Sequence, residues 1–274
     1  MAQPAASRGS IVRTLESWLP KWAGDALERS QGQDIVLYAS GLAFYAIVSV
    51  VPLTILTIWI ASVVMGDDAI RKLADAVRTV APQGLGADKA ITKVARTGAS
   101  VGLPAAIGGL WPATAYGSGV TRAFVRLSAK RKQEFKGLRG RGLLLVGLLP
   151  LFVLGGLVGS FVGSTVLGDG GLEKVAGLAL ALITGFVGVS AATLVLYKIF
   201  PPESMSWRAA GKGTAAAASG ISVLSLLYTI YITQASGFTD HYASAGIAGL
   251  VLLGLWLFLS NIMLLFGFLV ALDA

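Results

Sequence analysis

Residue types that ordinarily do chemistry are few in this chain. It holds one histidine, His241, and no cysteine, so a zinc site with the usual ligands cannot be assembled. His241 stands between Asp240 and Tyr242. Neighbours in sequence point in different directions on a helix, so Asp240 reads as a helix N-cap and His241 as an interfacial residue. The carboxylates all lie outside the long uncharged runs, which leaves no buried acid pair of the kind proton pumps use. Gly168-Asp169-Gly170-Gly171 lacks the Lys-Ser/Thr that completes a phosphate loop. The expectation is a protein that is not an enzyme, with no catalytic residues, no cofactor and no metal.

Two polar stripes remain. Thr114, Ser118, Arg122 and Arg126 recur every four residues, so on a helix they trace a slanted line over roughly 18 Å of rise. The guanidinium is a planar fork suited to phosphate or carboxylate. An arginine facing lipid at depth costs about 3 kcal/mol on insertion scales. The stripe is therefore expected to line a cavity in which Arg122 meets an anionic group, with Arg126 more exposed. The plain alternative makes both arginines positive anchors at a helix end. The second stripe is Ser219, Ser222, Ser225, Thr229 and Thr233. It reads either as a polar path or as hydrogen bonding between helices.

The elements that must position these residues are set by charge distribution. Apolar residues make up 55% of the 274 and charged residues 13%, with mean hydropathy +0.74. That is about half the charge a soluble domain uses to cover its surface. Six stretches carry no Asp, Glu, Lys, Arg or His: 35–65, 97–121, 142–168, 175–197, 213–239 and 242–272. Each exceeds the ~20 residues that cross a hydrocarbon core. Soluble, disordered and disulfide-scaffold classes are excluded, and the uniform runs contradict the ~10-residue alternating strands of a membrane barrel. The predicted fold is all-α and polytopic, with six transmembrane helices.

Residues 1–34 form the other predicted unit, a cytoplasmic tail leading into an amphipathic helix. Ile11, Leu15, Trp18 and Trp22 share one face there, which suits a helix lying at the membrane interface. Residues 66–96, with a turn at Ala81-Pro82-Gln83-Gly84, read as an extra-cytoplasmic helical hairpin. Pro52 sits inside the first span and is expected to kink it near Ser49, whose hydroxyl can satisfy a freed carbonyl. Glycine ridges at Gly155, Gly159 and Gly163, and at Gly246 and Gly254 with Leu250 between, predict close helix approach.

Counting Lys and Arg by alternate connections gives 15 on one side and 7 on the other. The positive-inside rule then places both termini in the cytoplasm. The net charge of +8 is mainly this topology signal. It also favours anionic headgroups and gives no reason to invoke nucleic acid.

Several segments resemble the YihY/BrkB family. Tyr38-Ala-Ser-Gly-Leu-Ala-Phe-Tyr-Ala-Ile-Val-Ser-Val-Val-Pro52 is similar to its first-span signature, with Leu42, Ala43, Tyr45, Ser49 and Pro52 matching. Leu110-Trp111 with Arg122 and Arg126 resembles the second span. Leu196-Tyr197, Pro201, Trp207-Arg208, Gly213, Tyr231, Tyr242-Ala-Ser-Ala-Gly246 and Trp256-Leu-Phe-Leu-Ser260 resemble the C-terminal half. The resemblance implies a six-span bacterial inner-membrane protein with cytoplasmic termini. Leu127-Ser128 stands where the family usually has Leu-Asn, and Gly267-Phe268-Leu269 where it has Gly-x-Glu. The missing acid argues against one carboxylate-dependent coupling mechanism for the whole family. The old family label ribonuclease BN finds no metal cluster or acid–base pair here and is disfavoured.

Roles suggested for relatives include serum resistance, ion exchange and envelope lipid traffic. The expected function is transport-related, handling an anionic or amphiphilic solute or lipid, with membrane lipids as partners. The alternative is a scaffold that docks an envelope protein through residues 66–96. Topology is directly testable: reporter fusions after Gly84 should read extra-cytoplasmic and fusions after Lys132 cytoplasmic. A cytoplasmic signal at Gly84 overturns the six-span order.

Overall fold

The computed structural model describes residues 34–66, 114–128, 171–234 and 245–274. The interfacial helix, the hairpin, the third predicted span and residues 97–113 of the second lie outside the described residues. Every element described is an α-helix: α1 Ile35–Met65, α2 Ala115–Leu127, α3 Gly171–Ile199, α4 Trp207–Gln234 and α5 Ala245–Leu272.

α1 coincides with the first charge-free run, and at 31 residues it is about 46 Å long. It passes Pro52 without interruption. α5 stays within its charge-free run, whereas α2, α3 and α4 overrun theirs. α2 continues past Thr121 through Arg122 and Arg126, α3 takes in Lys198, and α4 opens at Trp207, well before Gly213. The reason is physical. Loss of charge-free sequence marks the edge of the hydrocarbon, but backbone hydrogen bonding carries a helix on until something stops it. Pro201 and Pro202 stop α3, because proline offers no N–H and disfavours helical geometry in the residue before it. Ser206 starts α4 by accepting the Ala209 N–H on its hydroxyl at 3.1 Å. Leu182–Ile199 and Gly249–Leu272 are long and apolar enough to cross a membrane.

α5 packs against α1, α2 and α4, while α3 joins α4 and α1 joins α2. Leu42 and Tyr45 of α1 lie against Gly119 of α2, and Ser49 reaches Tyr116, so these two helices run antiparallel. Gly213 of α4 meets Gly267 of α5, and Gly220 meets Met263, so that pair is antiparallel too. Phe124, Tyr197 and Phe268 pack together from α2, α3 and α5. These contacts bring the start of α1, the ends of α2, α3 and α5, and the start of α4 to one end of the bundle.

The closest approach is between α4 and α5. A Cβ on Gly213 would stand 2.5 Å from the Gly267 carbonyl oxygen and 2.6 Å from the Ala271 Cβ. One on Gly267 would stand 2.6 Å from both the Gly213 oxygen and the Ala217 Cβ. Small residues one turn apart on each helix thus let the two backbones touch. The anticipated ridge at Gly246, Leu250 and Gly254 is not where this happens. Leu250 is exposed, and a Cβ on Gly254 would meet only Ile47 at an ordinary 3.7 Å.

Beside this contact the rings of Phe124 and Phe268 stack at 4.0 Å, 12° from parallel, with Tyr197 tilted against both. All three are fully buried. Elsewhere the usual polarity is reversed: Leu37, Phe44, Ile183, Val187, Val223, Leu227 and Leu255 face outward, while Ser49, Thr121, Thr193 and Asn261 are buried. Apolar outside and polar inside is the arrangement a lipid solvent requires.

Gly267→Ala must therefore push a backbone carbonyl, which does not yield as a flexible side chain would. It should destabilise the purified protein by ~1–3 kcal/mol in thermal unfolding. Gly185→Ala, whose Cβ meets nothing within 4 Å, should stay within about 0.5 kcal/mol of the parent.

Candidate functional site

α2 buries most of its surface. Gly117, Gly119, Val120, Thr121, Ala123, Phe124, Val125 and Leu127 are all buried. What remains open is the predicted stripe: Arg122 and Arg126 are exposed, and Thr114 and Ser118 half-buried. Sequence spacing thus placed the four residues on one face, and that face is the outward one. The Ser118 hydroxyl turns back on its own helix. Ser118 Oγ donates to the Thr114 carbonyl at 3.1 Å, and buried Thr121 does the same to Gly117 at 2.9 Å. The arginines are the groups on this face that reach out.

Depth follows from the packing. Phe124 stacks on Phe268, one turn from the end of α5. Arg122 therefore lies ~9 Å inside that end of the bundle, and Arg126 one turn nearer to it.

The start of α2 lies deeper. Its N-cap, Thr114, makes no side-chain capping bond, and the first N–H groups of any helix lack partners of their own. The Tyr116 N–H instead donates to Ser49 Oγ of α1 at 3.2 Å. The phenol of Tyr116 then donates to Asn261 Oδ1 of α5 at 2.9 Å. Asn261 Nδ2 donates to the Leu257 carbonyl at 2.8 Å. One residue thus ties α2 to both neighbours, with Ser49 1% and Asn261 3% exposed.

Sequence reasoning named Ser49, as a partner for the carbonyl freed by Pro52, and missed Tyr116 and Asn261. A signal existed for the second: Asn261 is the single asparagine of the chain and sits inside a charge-free run. Such a residue needs partners from other helices or from its own backbone.

The second stripe divides. Ser225 Oγ donates to the Ile221 carbonyl at 2.8 Å and accepts the Trp256 indole N–H at 3.1 Å. It acts as a cross-helix link between α4 and α5. Ser222 is half-buried and Ser219 exposed, and the Thr229 side chain lies outside the described residues. Pro52 is half-buried. His241 is also outside the described residues, among which no group of three His, Cys, Asp or Glu comes together.

Tyr116→Phe removes one donor and leaves the buried Asn261 oxygen short of a partner. A loss of about 0.6 kcal/mol, and no more than ~1.7, is expected, the average and the maximum found for hydrogen bonds between membrane helices. In a double-mutant cycle, Asn261→Leu should abolish the further effect of Tyr116→Phe. Additive losses would show that the two side chains do not interact.

No curated protein and no solved structure matches the chain. A family model described as virulence factor BrkB matches residues 26–273. That match takes in all five helices, the α1 segment that carries the first-span resemblance and the arginines of α2, so the chain belongs to the virulence factor BrkB family of membrane proteins.

Proposed function

We propose that this protein handles an anionic or amphiphilic solute or lipid in a bacterial inner membrane, in a transport-related role. It does so through six spans with both termini in the cytoplasm. The observation that carries the reading is the exposed arginine pair on α2, the one open face of a helix otherwise buried.

Arg122 lies two residues inside the level of Phe124 and Tyr197, near the hydrocarbon edge, where its charge favours water, a headgroup or an anion over lipid chains as neighbour. Arg126, one turn nearer the end, forms a second step toward the cytoplasm. Two guanidinium groups a turn apart repel each other mildly and attract a shared phosphate or carboxylate, which each can grip with two parallel N–H groups. Neither a cofactor nor a covalent step is required.

The experiment is reconstitution of the full chain in liposomes, with lipid scrambling and anion flux measured for the parent and for Arg122→Lys. Lysine keeps the charge and the insertion signal but loses the fork. Activity in the parent and a loss of about tenfold or more in the variant, equivalent to ~1.4 kcal/mol, are expected. Equal activity in both reduces the arginines to anchors. Silence of the parent in both assays, with a protein trapped by crosslinks from residues 66–96, would favour the scaffold.

A further inference from the structure

The corner between α3 and α4 stands apart from the α2 stripe and carries its own chemistry. The charge-free run of α3 ends at Tyr197, and that of α4 begins at Gly213. Residues 198–212 therefore lie at the edge of the hydrocarbon. The corner is held firmly: Phe200 is fully buried in the aromatic core, and Ser206 caps α4. Beyond that anchor it exposes Trp207, the most exposed large apolar side chain among the described residues at 70%.

The indole does not hang free. The Lys198 ammonium stands 4.5 Å from its ring centroid and also donates to the Met205 carbonyl, which fixes the ring on the outside of the corner. An exposed indole is poorly placed in water, and in hydrocarbon its N–H would lack an acceptor. The headgroup layer suits both of its parts. Arg208 and Lys212 follow, one turn apart on the same face and both exposed. Like charges at that spacing repel, and the first turn of α4 holds no acid to offset them. The corner thus carries three cations, Lys198 over the indole and Arg208 and Lys212 a turn apart on α4, against a single acid, Glu203.

We propose that the α3–α4 corner is a resident site for the headgroup of an anionic phospholipid, with Trp207 at the level of the glycerol backbone and Arg208 and Lys212 on the phosphate. The occupant is a lipid rather than a soluble anion, because the largest exposed surface at the site is apolar and lies at membrane-edge depth. This site does not depend on the reading of Arg122.

The test is native mass spectrometry of the full chain released from micelles doped with phosphatidylglycerol or phosphatidylcholine. The parent should retain the anionic lipid over the zwitterionic one. The double variant Arg208→Gln/Lys212→Gln should weaken that retention about tenfold, and Gly185→Ala, whose Cβ meets nothing within 4 Å, should leave it unchanged. Three results overturn the proposal: equal retention by the double variant, no preference in the parent, or full displacement by inorganic phosphate. Should the double variant fail to fold, brominated lipids give a separate reading. Brominated phosphatidylglycerol should quench the parent's tryptophan emission more than brominated phosphatidylcholine, and Trp207→Phe should erase that difference. A difference that survives the substitution overturns the assignment.

Discussion

Inside a bilayer the apolar surface of a helix gains nothing by leaving lipid for a neighbouring helix, so contact has to come from shape and from hydrogen bonds. Here the decisive contact is the meeting of α4 and α5 at Gly213 and Gly267, where each backbone stands against the other with no side chain between. That approach draws in the rest. It brings α5 within reach of Tyr197, whose hydroxyl donates to the Leu264 carbonyl at 2.5 Å. Tyr197 and Phe268 then form the surface on which Phe124 of α2 rests. With α2 seated there, its outer face is fixed, and with it the direction of Arg122 and Arg126.

The hydrogen bonds do a different job from the glycines. Contact between small residues fixes distance, whereas Tyr116 with Ser49 and Asn261, and Trp256 with Ser225, fix rotation and register. A helix turned by one residue would lose such a bond and leave a polar group in an apolar medium. Among the described residues, the hydroxyls Thr214 Oγ1 and Ser260 Oγ are buried without a hydrogen-bond partner. Each flanks one of these contacts in sequence, Thr214 next to Gly213 and Ser260 next to Asn261. The bundle tolerates both beside its tightest constraints.

How much of this the sequence disclosed depends on whether a feature has a period. The extent of α1 was legible because charges bound it at Asp34 and Asp67. The arginine stripe was legible because its spacing repeats. Ends of helices were less so, since a lysine or arginine does not break a helix and α2, α3 and α4 run on through theirs. The partners of Tyr116 were not legible at all. Asn261 is one residue with no pattern around it, and pairing across 145 positions is a property of the packed chain. Glycine was misleading for a related reason. The ridge through Leu250 had the spacing of an interface, but Gly267 and Ala271, opposite Gly213 and Ala217, had the neighbours.

The central place of α5 bears on how the bundle is made. It touches all four of the other helices, yet it is the last of the five in chain order and leaves the ribosome after them. Until it arrives, Tyr116 has no amide to meet, Gly213 faces no glycine, and Phe124 lacks the ring it stacks on. Until then α1 to α4 have only their mutual contacts, among them the Tyr116–Ser49 bond and the Phe124–Tyr197 ring contact. Consolidation waits for a single late event. A chain stalled before Ala245 would present its polar groups and bare glycines to whatever insertion or quality-control machinery stands beside it.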